Sequence, residues 1–201
     1  QITQLVGGMV FIEGNERSTA TDKDEKGKLM SIIRDPEYIR SLLEKNNIRY
    51  EYASQYTSSM GQILFNGKRV MSALMGRNFE KETHLVKSFE VVEGDLAGLS
   101  KPDALVLSKK TADSLKMKVG DSLLYTTQTL GGQNTVGEST LVAVIRDAGL
   151  MSSMSSYVRQ DTLNALLEMP AGSYNMFAVV LADRSRQNAV AQHIEDLLRA
   201  D

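Results

Sequence analysis

Residues 104–121 read Ala-Leu-Val-Leu-Ser-Lys-Lys-Thr-Ala-Asp-Ser-Leu-Lys-Met-Lys-Val-Gly-Asp. The four apolar residues at the start predict a buried strand. Ser108 is placed to cap the helix that follows, and this helix carries Ala112 and Leu115 inward. The closing Val-Gly-Asp predicts a turn into a second strand over residues 122–127.

Downstream of this segment, residues 140–145 form an apolar run that predicts a return strand. Gly131-Gly132 lies in the loop between the two strands and does not follow the G-x-G-x-x-G spacing of a phosphate-binding turn. We therefore interpret the middle of the chain as a compact β-rich unit with one helix.

The two ends of the chain have a different sequence pattern, in which predicted strands alternate with predicted amphipathic helices. Strands are predicted over residues 9–13, 48–54, 62–65, 68–74, 156–159 and 176–181, and helices over 35–47, 78–86, 161–169 and 186–199. Asp35-Pro36-Glu37 marks a helix start, and Asn66-Gly67 between apolar runs marks a hairpin that Gly76 ends. The apolar run at residues 176–181 is typical of a strand in the middle of a sheet.

The order is β-α-β-β-β at the start and β-α-β-α at the end, with a different unit between. The simplest architecture is an α+β domain built from both chain ends as split βαβ halves, interrupted by a small inserted β-rich domain. The predicted boundaries place the first part of the outer domain at 1–88, the insert at 89–149 and the second part at 150–201.

Composition excludes several classes of function. The 201 residues carry a formal net charge of -2, which gives no electrostatic reason to expect a nucleic acid partner. Cysteine is absent, so thiolate nucleophiles and cysteine metal sites are excluded. No apolar run approaches the roughly 20 residues of a membrane-spanning helix. The chain begins with Gln1, and we expect a domain excised from a longer protein.

Candidate chemical groups are few. His84 and His193, the two histidines, fall in separate predicted helices without a partner at ligand spacing. Ser108 precedes two lysines, but neighbours in sequence do not face each other on a helix, so a helix cap is favoured over a nucleophile pair. Met151 and Met154 form an M-x-x-M pair that is a weak signal for a copper site, and partner contact or core filling is favoured. We predict no catalytic residue, no metal and no cofactor.

Three segments together resemble the MacB-like periplasmic core domain, which occurs in permeases of lipoprotein-releasing, macrolide-exporting and FtsX-like ABC systems. They are Val92-Glu-Gly-Asp-Leu96, residues 104–121 and Leu141-Val-Ala-Val-Ile145, although Met117 and Arg146 stand where glycine is common in or near that pattern. Residues 169–183 are similar to the corresponding part of LolC/LolE-type subunits.

The resemblance implies a Porter subdomain from both chain ends and an inserted Sabre subdomain. It also implies that both ends continue into membrane helices, one before Gln1 and about three after Asp201. The expected function is an extracytoplasmic domain of an inner-membrane permease, without enzyme activity of its own, most simply in lipoprotein release. The expected partners are a cytoplasmic ATPase subunit, a second permease subunit in a homo- or heterodimer, and a periplasmic carrier, adaptor or lipoprotein.

In LolC-like subunits a hairpin loop of the Sabre region hooks the soluble carrier. The equivalent stretch is residues 126–139, and the resemblance places a partner-binding tip at Leu130, Gly131, Gly132, Gln133 and Asn134. An ordinary flexible hairpin is the alternative for these residues. For the whole chain the alternatives are a MacB-like efflux domain for drugs or peptides, a ligand- or protein-binding module without transport coupling, and a hydrolase with an unrecognised site.

Overall fold

The computed structural model describes residues 2–6, 9–17, 29–147 and 153–200. The strands are β1 Ile2–Val6, β2 Met9–Glu13, β3 Glu16–Arg17, β4 Leu29–Met30, β5 Tyr50–Phe65, β6 Lys68–Arg77, β7 Val91–Gly94, β8 Ala104–Ser108, β9 Ser122–Gln128, β10 Asn134–Ile145, β11 Ser155–Arg159 and β12 Met176–Leu181. The helices are α1 Tyr38–Lys45, α2 Thr83–Ser88, α3 Lys109–Leu115, α4 Gln160–Leu166 and α5 Gln187–Ala200, with 3₁₀ turns at Leu96–Ser100 and Arg184–Arg186. The predicted α+β class is confirmed.

The chain forms two compact units. The first contains Gln1–Tyr56 and Gly172–Asp201, and the second contains Thr57–Ala171. The predicted boundaries at 88/89 and 149/150 both fall within the residue range of the second unit. The assignment of Porter and Sabre subdomains stays a prediction.

The first unit is an antiparallel sheet with two helices on one face. Its strand order is β1-β2-β12-β5, so β2 and β5 run in the same direction on either side of β12. Helix α1 connects β2 to β5, which is a split βαβ arrangement. The core contains Val10, Ile12, Ile39, Leu43, Tyr174, Phe177, Val179, Leu181, Ala191 and Ile194.

The central position predicted for β12 is confirmed, but its burial alternates. Phe177, Val179 and Leu181 are fully buried, and the residues between them are only half-buried. The reason is that side chains alternate across a strand and the core lies on one face of this sheet.

Helix α1 begins three residues later than the Asp35 signal indicates. The Asp35 carboxylate accepts a hydrogen bond from the Glu37 amide at 2.9 Å, and its carbonyl accepts one from the Tyr38 amide at 3.3 Å. Asp35 thus forms the turn that leads into the helix. The predicted end is confirmed, because Asn46 caps the helix and Asn47 has a φ of 55°.

The second unit is built on a closed ring of six strands. In the order β5-β6-β11-β8-β10-β9 each strand pairs with the next, and β9 pairs with β5 to close the ring; β5 contributes residues 57–65. The pairs β6–β11 and β8–β10 are parallel, and the other four are antiparallel. Buried side chains that fill the ring include Ile63, Leu74, Leu105, Leu107, Leu123 and Tyr125.

The predicted hairpin at Asn66-Gly67 is confirmed, with φ values of 46° and 75°. Gly76 does not end it, because β6 continues to Arg77 and its last five residues pair with β11. A Cβ at Gly76 would lie 3.0 Å from the Leu163 side chain of α4, so the glycine lets this helix approach the strand.

A segment outside the ring covers β8 and β10. It includes α2 and β7, and its apolar residues pack with Ala104, Val106, Val142, Ala143 and Ile145 through Phe79, Phe89, Leu96 and Leu99. Helix α2 begins at Thr83, later than predicted, because Asn78 forms a turn in which its side chain accepts a hydrogen bond from the Lys81 amide at 3.1 Å.

Candidate partner-binding loop

The loop predicted to bind a partner joins β9 to β10. The two strands pair in an unbroken antiparallel register from Ser122↔Thr140 to Gln128↔Asn134. β10 begins at Asn134, six residues earlier than the sequence indicates, so the loop itself contains only residues 129–133. It is a short connection between long strands.

Thr129 closes this loop. Its amide donates to the Gln133 carbonyl at 2.7 Å, and its carbonyl accepts from the Gly132 amide at 2.8 Å. Its hydroxyl also accepts from the Gln133 amide at 3.2 Å. Gly132 has a φ of 85°, which favours glycine. These bonds close the loop between its first and last residues.

Leu130 anchors the loop to the body of the second unit. Its amide donates to the carbonyl of Leu167, just after α4, at 2.8 Å. Leu130 is half-buried, whereas the next four residues, 131–134, are exposed. The structure therefore places the five predicted residues together, with a fixed base and a small exposed tip.

The exposed tip offers neutral polar groups. Gln133 and Asn134 present amides, and the Asn134 side chain lies at 3.5 Å from the Gln128 amide nitrogen. Charged and aromatic side chains are absent from residues 129–134. The tip is suited to hydrogen bonding with a partner's backbone or polar side chains rather than to anchoring in an apolar pocket.

Ser108 has the role of a helix cap, as predicted. Its hydroxyl accepts from the Thr111 amide at 3.2 Å and donates to the Ser153 carbonyl at 2.9 Å. Lys109 forms an ion pair with Asp113 at 3.0 Å instead of activating the serine. Ser108 is buried, so this group is structural.

The two histidines belong to different units, His84 to the second and His193 to the first. Among the described residues, no group of three or more His, Cys, Asp or Glu side chains could hold a metal ion. Met154 is exposed, and Met151 lies outside the described residues.

A cleft of about 620 Å³ lies in the first unit, between the end of α1 and the start of α5. Its lining includes Arg49, Arg186 and His193, all exposed, together with Asp183. The pKa of Asp183 is lowered by hydrogen bonds from Ser185. No local sequence pattern marks this cleft, because its residues come from both chain ends.

The second unit contains a buried ion pair that was not predicted from the sequence. Arg77 Nη1 lies 3.0 Å from Glu82 Oε2, and the two side chains are 11% and 8% exposed. Nearby, the ring centroids of Phe89 and Tyr157 are 4.9 Å apart. Burial raises the pKa of the Tyr157 hydroxyl. Nothing in the local sequence distinguishes Arg77 and Glu82 from the exposed charged residues around them.

Two solved structures have a fold similar to that of this chain. The periplasmic region of MacB from Actinobacillus actinomycetemcomitans matches 96% of this chain and 82% of its own length, at 13% identity and a TM-score of 0.50. The extracellular domain of the noncanonic ABC-type transporter YknZ from Gram-positive bacteria matches 92% of this chain and 93% of its own, at 17% identity and a TM-score of 0.53.

The chain has the fold of a MacB-like periplasmic domain. The resemblance in the sequence is thereby confirmed at the level of the fold. No protein-family model and no curated protein matches the sequence. In the part of the chain that the structure describes, the longest helix has 14 residues, and none is long and apolar enough to cross a bilayer.

Proposed function

We propose that the chain is the extracytoplasmic domain of an ABC transporter permease in the inner membrane, and that it transmits ATP-driven movement of the membrane helices to cargo or partner proteins. The observation that supports this is the likeness to the YknZ domain, which extends over nearly the whole length of both chains. ATP hydrolysis resides in a separate subunit or domain, and this domain acts by rigid-body movement.

Within this proposal, residues 1–88 and 150–201 form the Porter subdomain, and residues 89–149 form the Sabre subdomain. Two copies, or this chain and a related subunit, approach and separate during the ATPase cycle. The favoured process is lipoprotein release or export, and a MacB-like efflux of drugs or peptides is the second candidate.

Reconstitution tests the transport coupling. The parent permease and its ATPase are placed in liposomes, with residues 1–201 either present or replaced by a Gly-Ser linker. We expect the linker variant to keep basal ATP hydrolysis and to lose cargo transfer. Release of a fluorescent lipoprotein into solution would support the first process, and movement of an amphipathic drug would support the second. Unchanged transfer of both cargoes by the linker variant would contradict the proposal.

The β9–β10 loop is the proposed contact for a periplasmic carrier or adaptor. The hydrogen-bonded base and exposed tip support this role, because a loop ordered by its own hydrogen bonds loses little conformational entropy on binding. Leu130→Ala, Gln133→Ala and Asn134→Ala together alter the tip and leave the paired strands intact. The control is Asn66→Asp in the equally exposed β5–β6 turn.

We expect the triple variant to lose at least tenfold in affinity for the carrier encoded beside the permease, measured by titration calorimetry, and the control to bind as the wild type does. Equal binding by the triple variant would refute this contact while leaving transport coupling untouched.

A binding module without transport coupling is the candidate from another class. The observation that favours it is the cleft of the first unit, where Arg49, Arg186 and His193 suit an anionic ligand. The same linker experiment separates it from the main proposal, because a pure binding module would lower the affinity for cargo without uncoupling ATP hydrolysis from transfer.

A further inference from the structure

The cleft of the first unit lies where two strands and two helices have their ends. β12 and β5 are antiparallel, so Leu181 at the end of β12 lies opposite Tyr50 at the start of β5. The turn after α1 leads into β5, and the turn after β12 leads into α5, so both turns lie at one edge of the sheet. All residues that line the cleft belong to the first unit. The cleft is therefore a property of one compact body.

The floor of the cleft is apolar. Ile48, Leu181 and Val190 line it, and the same three side chains belong to the core of the first unit or pack against it. Leu181 is buried, and Ile48 and Val190 are half-buried, so part of their apolar surface faces the cleft. The volume of about 620 Å³ is in the range of pockets that bind small molecules. A floor of this kind favours a ligand with an apolar part.

The rim of the cleft carries cationic and hydrogen-bonding groups from both sides. Arg49 lies just before β5, and Arg186 and His193 lie at the start of α5. Arg186, Val190 and His193 follow one another at spacings of four and three residues, which places them on one face of the helix. Arg49, Arg186 and His193 are exposed, and none of them belongs to an ion pair among the described residues.

Asp183 is the acidic residue of this cleft, and its carboxylate already has partners. It accepts hydrogen bonds from the Ser185 hydroxyl at 2.6 Å and from the Ser185 amide at 3.0 Å. Arg186 acts on the same carboxylate, but more weakly than these bonds do. One carboxylate thus stands against two guanidinium groups and an imidazole, which leaves an excess of positive charge for an external anion.

We propose that the cleft binds an organic oxyanion, a carboxylate or phosphate monoester, with its charged head at Arg49 and Arg186 and its apolar group on the floor. Guanidinium groups bind both kinds of head through paired hydrogen bonds. His193 adds a further N–H donor. An inorganic anion would leave the floor unused, and a neutral apolar molecule would leave the arginines unpaired. This site rests on the same cleft as the candidate binding module and does not depend on transport coupling.

A series of anions tests the apolar floor. Acetate, butyrate, hexanoate and octanoate are titrated into the 201-residue chain in a calorimeter. We expect the affinity to rise along the series, by up to about fourfold for each methylene that the floor buries. Inorganic phosphate and octanol should bind about tenfold or more weakly than the tighter of octanoate and octyl phosphate, and the comparison of these two identifies the preferred head. A flat series, or octanol binding as tightly as octanoate, would overturn the proposal.

Substitution of the two arginines tests the charged rim. Arg49→Gln and Arg186→Gln should each weaken the binding of the preferred octyl anion about tenfold or more, because each removes charge-assisted hydrogen bonds. Arg199→Gln is the matched control on the same helix, since Arg199 is paired with Glu195 and lies outside the cleft. The control should bind as the wild type does. Equal affinity of all three variants would show that these arginines do not hold the anion.

Filling the cleft gives a second test that leaves the charges unchanged. Ala189 is exposed and lines the cleft, so the ring of Ala189→Phe can occupy it without entering the core. This variant should lose about tenfold or more in affinity, because the ring displaces the apolar part of the ligand. Asn188→Phe, at the exposed neighbouring position outside the cleft, should bind normally, and circular dichroism verifies that both variants fold. Equal binding by both would refute the site. The reconstitution test measures cargo transfer, so its result is independent of these titrations.

Discussion

Tyr125 on β9 lies with its ring against Gly137, its direct cross-strand neighbour on β10. A Cβ built on Gly137 would be 2.6 Å from the ring carbon Cζ and 2.8 Å from the hydroxyl oxygen. Tyr125 is buried inside the ring of strands. Glycine at 137 therefore provides the space that the largest side chain of this hairpin occupies.

Gly137→Ala should destabilise the domain by about 1–3 kcal/mol, because the added methyl group must displace a buried ring in a packed core. The measurement is the urea midpoint followed by circular dichroism. Gly131→Ala is the matched control in the same hairpin. Its nearest neighbour would be 3.8 Å away, so its midpoint should not move. Equal midpoints for both variants would contradict the close contact.

Ser108→Ala should lower the free energy of unfolding by about 1–3 kcal/mol. It removes the cap of α3 and leaves the Ser153 carbonyl with one donor fewer in a buried place. Ser114→Ala in the exposed part of the same helix should change the stability by less than about 0.5 kcal/mol. If chemical denaturation shows the same stability for both variants, Ser108 does not act as a cap.

Arg77→Met should destabilise the domain by about 3–5 kcal/mol, because it leaves the Glu82 carboxylate without its buried cation. The same substitution in the exposed pair, Arg146→Met, removes a contact of 2.7 Å to Glu90 and should cost less than about 1 kcal/mol. Thermal unfolding at low and high salt compares the two. An equal loss in both variants would show that burial does not set the strength of this pair.

Stability should fall as the pH rises above about 10, the ordinary pKa of tyrosine. Burial raises the pKa of Tyr125, Tyr157 and Tyr174 in the folded state, most strongly for Tyr174, where Asp35 and Glu37 add to the effect. The unfolded chain then releases protons that the folded chain retains, so each such tyrosine costs up to about 1.4 kcal/mol per pH unit.

Tyr174→Phe should reduce this alkaline loss, since one proton-retaining group is removed while the ring stays in the core. Urea midpoints between pH 7 and 11 measure the slope for the wild type and the variant. Below pH 9 the slopes should coincide, and an identical slope above pH 10 would contradict the role of Tyr174.

Local signals predicted local structure well. Asn66-Gly67 specifies its turn through backbone conformations that few residues adopt, and Ser108 specifies a helix start through one hydrogen bond. The α+β class followed from such signals in order along the chain. The resemblance added the family fold, which the superpositions confirm.

Long-range pairing could not be predicted in the same way. The Thr57 hydroxyl donates to Asn164 at 2.5 Å across 107 positions, and the Leu130 amide finds the Leu167 carbonyl, because the folded ring brings them together. The closure of the ring likewise depends on the pairing of β5 with β9, where Ile63 lies opposite Tyr125. A single sequence shows the periodicity of its apolar residues, but it does not specify which strands pair.

The closed ring has a consequence for how the protein is made. Its last strand to be synthesised, β11, pairs with β6, so that Ser156 meets Leu74. At about 5–20 residues per second, a ribosome takes several seconds to progress from β6 to the end of β11. During that time the first strands have exposed edges and cannot complete their sheet. We expect slow folding, on the millisecond to second scale typical of non-local β structure, and a need for chaperone protection until Arg159 has emerged.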